Sequence, residues 1–144
     1  MLKLSTGLRN YMLDSGSLKA AMAGGEIRIY SGPVPATADA ALSGNTLLVT
    51  IKNGGAGINY DTTAAGGVLA KAPGETWSGT NAATGTATFF RHVLSADDGT
   101  LSTSQVRIQG TLGTGGTDGV LTSVALVSGA PQAVDFYTTA LPSG

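Results

Sequence analysis

Glycine and proline cut this chain into pieces of mostly four to nine residues, and that punctuation restricts it to folds built from short elements. The 144 residues include 22 glycines, about twice the roughly 7% of average usage. Between them lie runs rich in Val, Ile, Leu, Thr, Phe and Tyr, the side chains that fit a pleated, half-buried surface. Strands are expected at Glu26 to Ser31, Thr46 to Lys52, Val68 to Lys71, Thr86 to Leu94, Gln105 to Leu112, Val120 to Val127 and Ala133 to Leu141. Alternation supports several of them: Val106, Ile108 and Leu112 fall on one face, Arg107, Gln109 and Thr111 on the other. Thr46 to Ile51 and Val120 to Val127 are apolar on both faces, which puts them in the middle of a sandwich or under a partner.

The turns between these runs carry their own chemistry. Asn53-Gly54 suits a type I′ hairpin, Pro73-Gly74 the centre of a type II turn, and Asp97-Asp98-Gly99 a polar turn whose glycine supplies a positive φ. Gly113 to Gly119, with four glycines in seven residues, reads as a mobile tip. With seven or eight strands and no repeat at a fixed period, the expected architecture is an all-β sandwich in a single domain spanning residues 1–144. Periodicity does not give the strand order.

The N-terminal segment, residues 1–25, has a different pattern. Leu8, Met12, Leu13, Leu18 and Met22 recur at loosely helical spacing, interrupted by Asp14-Ser15-Gly16. Ser5 or Thr6 is placed to cap a first helix, Ser17 a second from Leu18 to Met22, and Gly24-Gly25 to stop it. One or two short helices packing on the sandwich are therefore expected. A further short helix is expected near Asp39 to Ser43, with Thr37 as its cap.

Composition narrows the function. Only 12% of residues are charged and the net charge is −1, with eight Lys and Arg scattered from Lys3 to Arg107, so no clustered basic surface is expected for nucleic acid. Absence of cysteine removes disulfides and thiolate metal sites. No run approaches the roughly 18 apolar residues of a membrane span, and Met1 to Asn10 lacks the apolar stretch of a signal peptide. A soluble protein is expected. A weakly charged surface of Ser, Thr, Ala and Gly protects little against association and hints at a life in contact with other protein.

Motifs for catalysis are sparse. The single histidine, His92, lies in Phe89-Phe90-Arg91-His92-Val93, and no Gly-x-Ser-x-Gly elbow presents a nucleophile to it. Its plainer reading is a strand residue at the edge of an aromatic cluster. Asp97 and Asp98 read as a solvated turn, and Asp61, Asp118 and Asp135 are remote from them, without the spacing of an EF-hand. Nine Asp and Glu leave a glycosidase-type carboxylate pair open, but each has an easier place in a turn or exposed strand. The glycines of residues 113–119 match neither G-x-G-x-x-G nor the P-loop. Trp77, in a loop-like stretch from Ala72 to Gly79, is either an interface anchor or sugar platform, or a lid over the core. Phe89, Phe90, Phe136, Tyr30 and Tyr137 read as core or sheet-surface residues. The expectation is a structural or binding protein, not an enzyme, with no cofactor and no metal.

Three stretches carry a resemblance: Leu4 to Asn10 (LSTGLRN), Ile29 to Ala40 (IYSGPVPATADA), and Glu75 to Gly79 (ETWSG) leading to Gly85 to Arg91 (GTATFFR). Together they resemble the small cement, or decoration, proteins of tailed-phage capsids, including that of a short-tailed Bordetella phage, over most of the chain from Leu4 to about Pro142. None of these stretches is catalytic. The resemblance implies a jelly-roll-like β-sandwich that docks on the outer surface of the virion, over joints between major capsid subunits, as a homodimer. Its partners would then be the major capsid protein and a second copy, with no nucleic acid and no membrane. The runner-up is a carbohydrate- or receptor-binding module of a phage tail fibre, and a small β-sandwich glycosidase or lyase stands third. The expected partner contacts are Leu8, Tyr11, Met12 and Leu13 on the N-terminal helices and Trp77 in its loop, since these apolar side chains lie outside the most regular strands. The competing reading has both groups simply closing the ends of the sandwich.

Overall fold

Two serines start the helical end of the chain. Ser5 Oγ accepts from the Leu8 amide at 3.2 Å and caps the helix α1 (Thr6–Asp14), and Ser17 Oγ accepts from the Ala20 amide at 3.1 Å and caps α2 (Leu18–Met22). The Ser5 hydroxyl also donates to the Gln105 carbonyl at 2.7 Å, so the cap doubles as a clamp on the strand that follows Gln105. Gly7 sits against that strand's approach, where a Cβ would collide with the main chain of Ser104 and Gln105.

The computed structural model describes residues 1–141. Twelve strands accompany the helices: β1 (Lys3–Leu4), β2 (Glu26–Ser31), β3 (Thr46–Asn53), β4 (Val68–Ala70), β5 (Trp77–Thr80), β6 (Gly85–Thr86), β7 (Phe89–Val93), β8 (Arg107–Gly113), β9 (Gly119–Val120), β10 (Ala125–Leu126), β11 (Pro131–Val134) and β12 (Thr138–Ala140). The main sheet runs β1-β8-β7-β2-β3-β5-β11, antiparallel throughout, with β9 added parallel to β8. Two small sheets, β6 with β10 and β4 with β12, complete the strands. The result is an all-β sandwich with two short N-terminal helices.

Period-two alternation gives the main sheet its two faces. Ile27 and Ile29 of β2 face the same way as Phe90 and His92 of β7 and Ile108 of β8, and this face carries the core, joined by Val49, Ile51, Ile58, Trp77 and Leu126. A register shift opposite Ile29 and Tyr30 is a β-bulge, and consecutive Leu48 and Val49 are both fully buried there. That explains why Thr46 to Ile51 looks apolar on both faces.

The opposite face is polar apart from Val93 and a buried Tyr30–Phe89 stack, and is covered by chain without regular structure. Here Arg107 and Asp97 form a bidentate pair, Nε to Oδ2 at 2.5 Å and Nη2 to Oδ1 at 2.8 Å, both side chains almost fully buried. The strap from Gly32 to Asn45 lies over this face and is held mainly by its carbonyl oxygens. Gln109 donates to Pro35, Lys3 to Ala36, Arg91 to Ala40 and Arg107 to Ala38, at 2.7 to 3.1 Å.

Several elements differ from expectation. Thr86 to Leu94 is not one strand, because the chain crosses between sheets at Ala87-Thr88: the Ala87 amide donates to Val124 and the Thr88 amide to Tyr30, both at 2.8 to 2.9 Å. Val120 to Val127 keeps only two-residue strands at its ends, and Val120 and Val127 are exposed, so this run is not in the middle of the sandwich. Ala133 to Leu141 breaks at Asp135-Phe136-Tyr137, while Trp77 to Thr80, expected as loop, is a strand inside the main sheet. Asp39 to Ser43 stays turn and coil. Its would-be first turn is drawn away by Asp39, whose carboxylate accepts from the Thr6 amide at 2.8 Å and the Thr6 hydroxyl at 2.6 Å.

Three turns also shift. The hairpin after β3 is centred on Gly54-Gly55, with φ of +57° and +88°, one residue later than Asn53-Gly54. Gly74 does not take a positive φ, so the turn closed by Glu75 N to Ala72 O at 3.2 Å is not type II. The base of the Gly113 to Gly119 loop is tied down: Asp118 Oδ2 accepts from the Thr111 amide at 2.9 Å, and Gly119 pairs with Leu112.

Candidate partner-binding surfaces

The five expected contact residues separate cleanly by burial. Leu8 is 0% exposed, within a cluster of Leu18, Ala21, Met22, Tyr60, Leu69 and Ile108. Trp77 is 1% exposed, its ring 5.4 Å from that of Tyr137 and its Nε1 donating to Glu75 Oε2 at 2.6 Å. Neither is available to a partner in this fold, so both are corrected to core residues that close the sandwich. The local sequence explains Trp77: its strand register against Asn53 and Val134 turns the ring inward, and Glu75 two residues earlier supplies an acceptor for the indole. Burial pushes the Glu75 carboxyl up, but donors from Asn59 and Trp77 and the nearby Lys71 ammonium outweigh it and hold the group below the usual carboxylate range.

Tyr11 and Met12 are half-buried against the same cluster as Leu8, and Leu13 is 84% exposed. Met12 also lines an apolar cleft of about 480 Å³ with Leu18, Leu69 and Leu141. A second cleft, about 360 Å³, opens on the core face between β2, β7 and the C-terminal segment, and is lined by Ile27, Ile29, Phe90, Leu112, Val120, Leu121, Val134 and Phe136. Strand β12 stands between the two clefts, with Thr138 on one and Thr139 on the other.

The rim of the second cleft was only partly expected. Phe136 is 82% exposed and Val120 62% exposed; the sequence left Val120 either in the middle of the sandwich or under a partner, and Phe136 either in the core or on the sheet surface. Phe136 lies in the connection between β11 and β12, flanked by exposed Asp135 and by Tyr137, whose ring turns inward against Trp77 and Phe90. The one available signal was the break in apolar character at Asp135.

The remaining polar candidates have structural places. His92 is buried, with Nδ1 3.2 Å from the Tyr137 hydroxyl, and Tyr60 and Tyr137 pack on its ring. Burial alone pulls its pKa down to about 3, so the imidazole is neutral. Asp97 is not the solvated turn residue expected. Burial pushes its carboxyl up, but hydrogen bonds from Arg107 and the Gly99 amide outweigh this and hold it well below the usual range. Asp98 is exposed and receives the Thr100 amide and hydroxyl. Arg91, also on the polar face, is pushed down to about 10 by burial and by Arg107 beside it. Among the described residues, no group of three or more His, Asp or Glu side chains is placed to hold a metal, and no helix is long and apolar enough to cross a membrane.

Comparison with protein-family models finds none that matches this chain, and searches of curated proteins and of solved structures return no match either.

Proposed function

We propose that this chain is a structural virion protein that binds the outer surface of a tailed-phage capsid and cements neighbouring major capsid subunits against internal DNA pressure. The observation that carries the reading is the pair of apolar clefts flanking β12, one rimmed by Phe136 and Val120 and the other lined by Met12 and Leu141, with Leu13 exposed on the adjoining helix. A cement must seat apolar surface from two neighbours at once, and two separate clefts on one small domain supply that valency. Each contact is then modest by itself, and the gain comes from joining them through one rigid body. The likeness of Leu4 to Asn10, Ile29 to Ala40, Glu75 to Gly79 and Gly85 to Arg91 to cement proteins supports the same reading. Burial of Trp77 removes one support of the tail-fibre alternative, that of a sugar platform at this residue.

Purified virions should contain the protein at a stoichiometry comparable to the major capsid protein. Phe136→Ala and Leu13→Ala should fold with little change in melting temperature, since both side chains are exposed, yet decorate capsids poorly. Loss of an apolar anchor at an interface centre is worth about 2 kcal/mol or more, roughly thirtyfold in affinity. Full occupancy by both variants would remove these contacts from the interface, and absence of the protein from virions would remove the role.

A further inference from the structure

Three dipeptides in this chain have the sequence in which a side-chain carbonyl carbon is open to attack by the next main-chain nitrogen: Asn53-Gly54, Asp98-Gly99 and Asp118-Gly119. Attack is easiest before glycine, because a side chain on the following residue hinders the approach. The other four asparagines precede Tyr11, Thr46, Tyr60 and Ala82. The neutral amide of Asn53 is a better electrophile than an ionised carboxylate, and the surroundings of the three sites differ as well.

At Asp98-Gly99 the nucleophile is engaged: the Gly99 amide donates to Asp97 Oδ1 at 2.8 Å, inside a buried turn. The Asp98 carboxylate itself is held by the Thr100 amide and hydroxyl at 3.0 and 2.7 Å. At Asp118-Gly119 the carboxylate is bound by the Thr111 amide and hydroxyl and by the Met1 ammonium, at 2.6 to 3.1 Å, and Gly119 is paired with Leu112. At Asn53-Gly54 the attacking nitrogen is not engaged, although the Asn53 main chain itself pairs with Ala56. Gly54 is exposed, nothing lies within 4 Å of the position of a Cβ there, and among the described residues neither its amide nor Asn53 Nδ2 has a hydrogen-bond partner. The Asn53 side-chain oxygen accepts from the Thr76 amide at 3.2 Å, which draws electron density from the carbon to be attacked.

We propose that Asn53 is a site of spontaneous deamidation in the folded protein, and that the fold protects Asp98 and Asp118 from the corresponding isomerisation. The Gly54 nitrogen gives up its proton and bonds to Cγ of Asn53, the Cγ–Nδ2 bond breaks, and ammonia leaves carrying a proton. Water then opens the cyclic imide at one carbonyl or the other, giving aspartate or isoaspartate, with no oxidant or reductant involved. Either product makes the chain one unit more negative than its present −1. Aspartate keeps the acceptor for Thr76. Isoaspartate inserts a methylene into the main chain at Asn53, which lies opposite Trp77 in the short pairing of β3 with β5.

The test follows the full chain at mildly alkaline pH, folded and in concentrated urea, by ion exchange and peptide mass spectrometry with an isoaspartate-specific methyltransferase. The folded protein should accumulate an acidic form whose conversion lies entirely in the peptide containing Asn53, and Asn53→Gln should lose that form. In urea, isoaspartate should appear at Asp98 and Asp118 as well. An Asn53 amide that stays intact in the folded protein while it converts in urea would overturn the proposal. So would folded-state conversion of Asp98 or Asp118 at a matching rate.

Discussion

His92 is the only histidine, so it is the one side chain whose ordinary pKa lies in the mildly acidic range. Its pKa in the fold is about 3, against 6.5 when exposed, so between these values the unfolded chain takes up a proton that the folded one refuses. The stability tied to neutral His92 is present in full above pH 6.5 and is lost progressively as pH falls towards 3. Lowering the pH from 6.5 to 5 should therefore cost about 2 kcal/mol. Urea denaturation across this range should show the slope, and His92→Gln, which cannot take up the proton, should flatten it. An unchanged slope in the variant would contradict the burial of this side chain. Burial on this scale could not be read from the sequence, where His92 fits a strand position; it arises because Tyr60 and Tyr137, distant along the chain, close over the ring.

Among the elements, those with local causes were legible and those with distant causes were not. The helices begin and end where Ser5, Ser17 and Gly24 direct, and β2 runs from Glu26 to Ser31 as expected. Trp77 to Thr80 carries glycine and serine and looks like loop, yet it is a strand because β3 and β11 supply partners on both sides. Exposed apolar positions were legible in part, at Leu13 on its helix and at Val120, whose run is apolar on both faces. Phe136 depended on how β11 and β12 divide, which is a matter of pairing. The polar face supplies a test at this scale. Asp97 receives two hydrogen bonds from Arg107, and Asp97→Ala leaves a buried guanidinium without its counter-charge. Removing one partner of such a pair typically costs about 3–5 kcal/mol, which should appear as a matching loss of unfolding free energy. Arg28 also reaches this loop through the carbonyls of Ser95 and Asp97, so the loop should loosen as a unit in hydrogen exchange.

Over the whole molecule, the pairs that hold the fold are far apart in the chain. Lys3 lies opposite Gln109, and β7 completes its sheet with β2 some sixty residues earlier. Folding must close those loops before the pairs form, which places the chain among domains that fold in about milliseconds to seconds. The strap over the polar face follows another rule. Gln109, Lys3, Arg91 and Arg107 grip it through main-chain oxygens, which every amino acid possesses, so the gripping side chains do not distinguish one strap sequence from another. A saturation mutagenesis library scored for folding should accordingly accept varied residues at Pro33, Val34, Ala36 and Ala41, and reject nearly all replacements of Arg91 and Arg107. A library in which the strap proved as restricted as the arginines would show that its side chains matter to the fold. With tolerance at these exposed positions, and Ala38, Asp39 and Asn45 holding the strap in place, the protein possesses surface points that can drift in sequence while its scaffold stands still, places where new specificity could be written without rebuilding the domain.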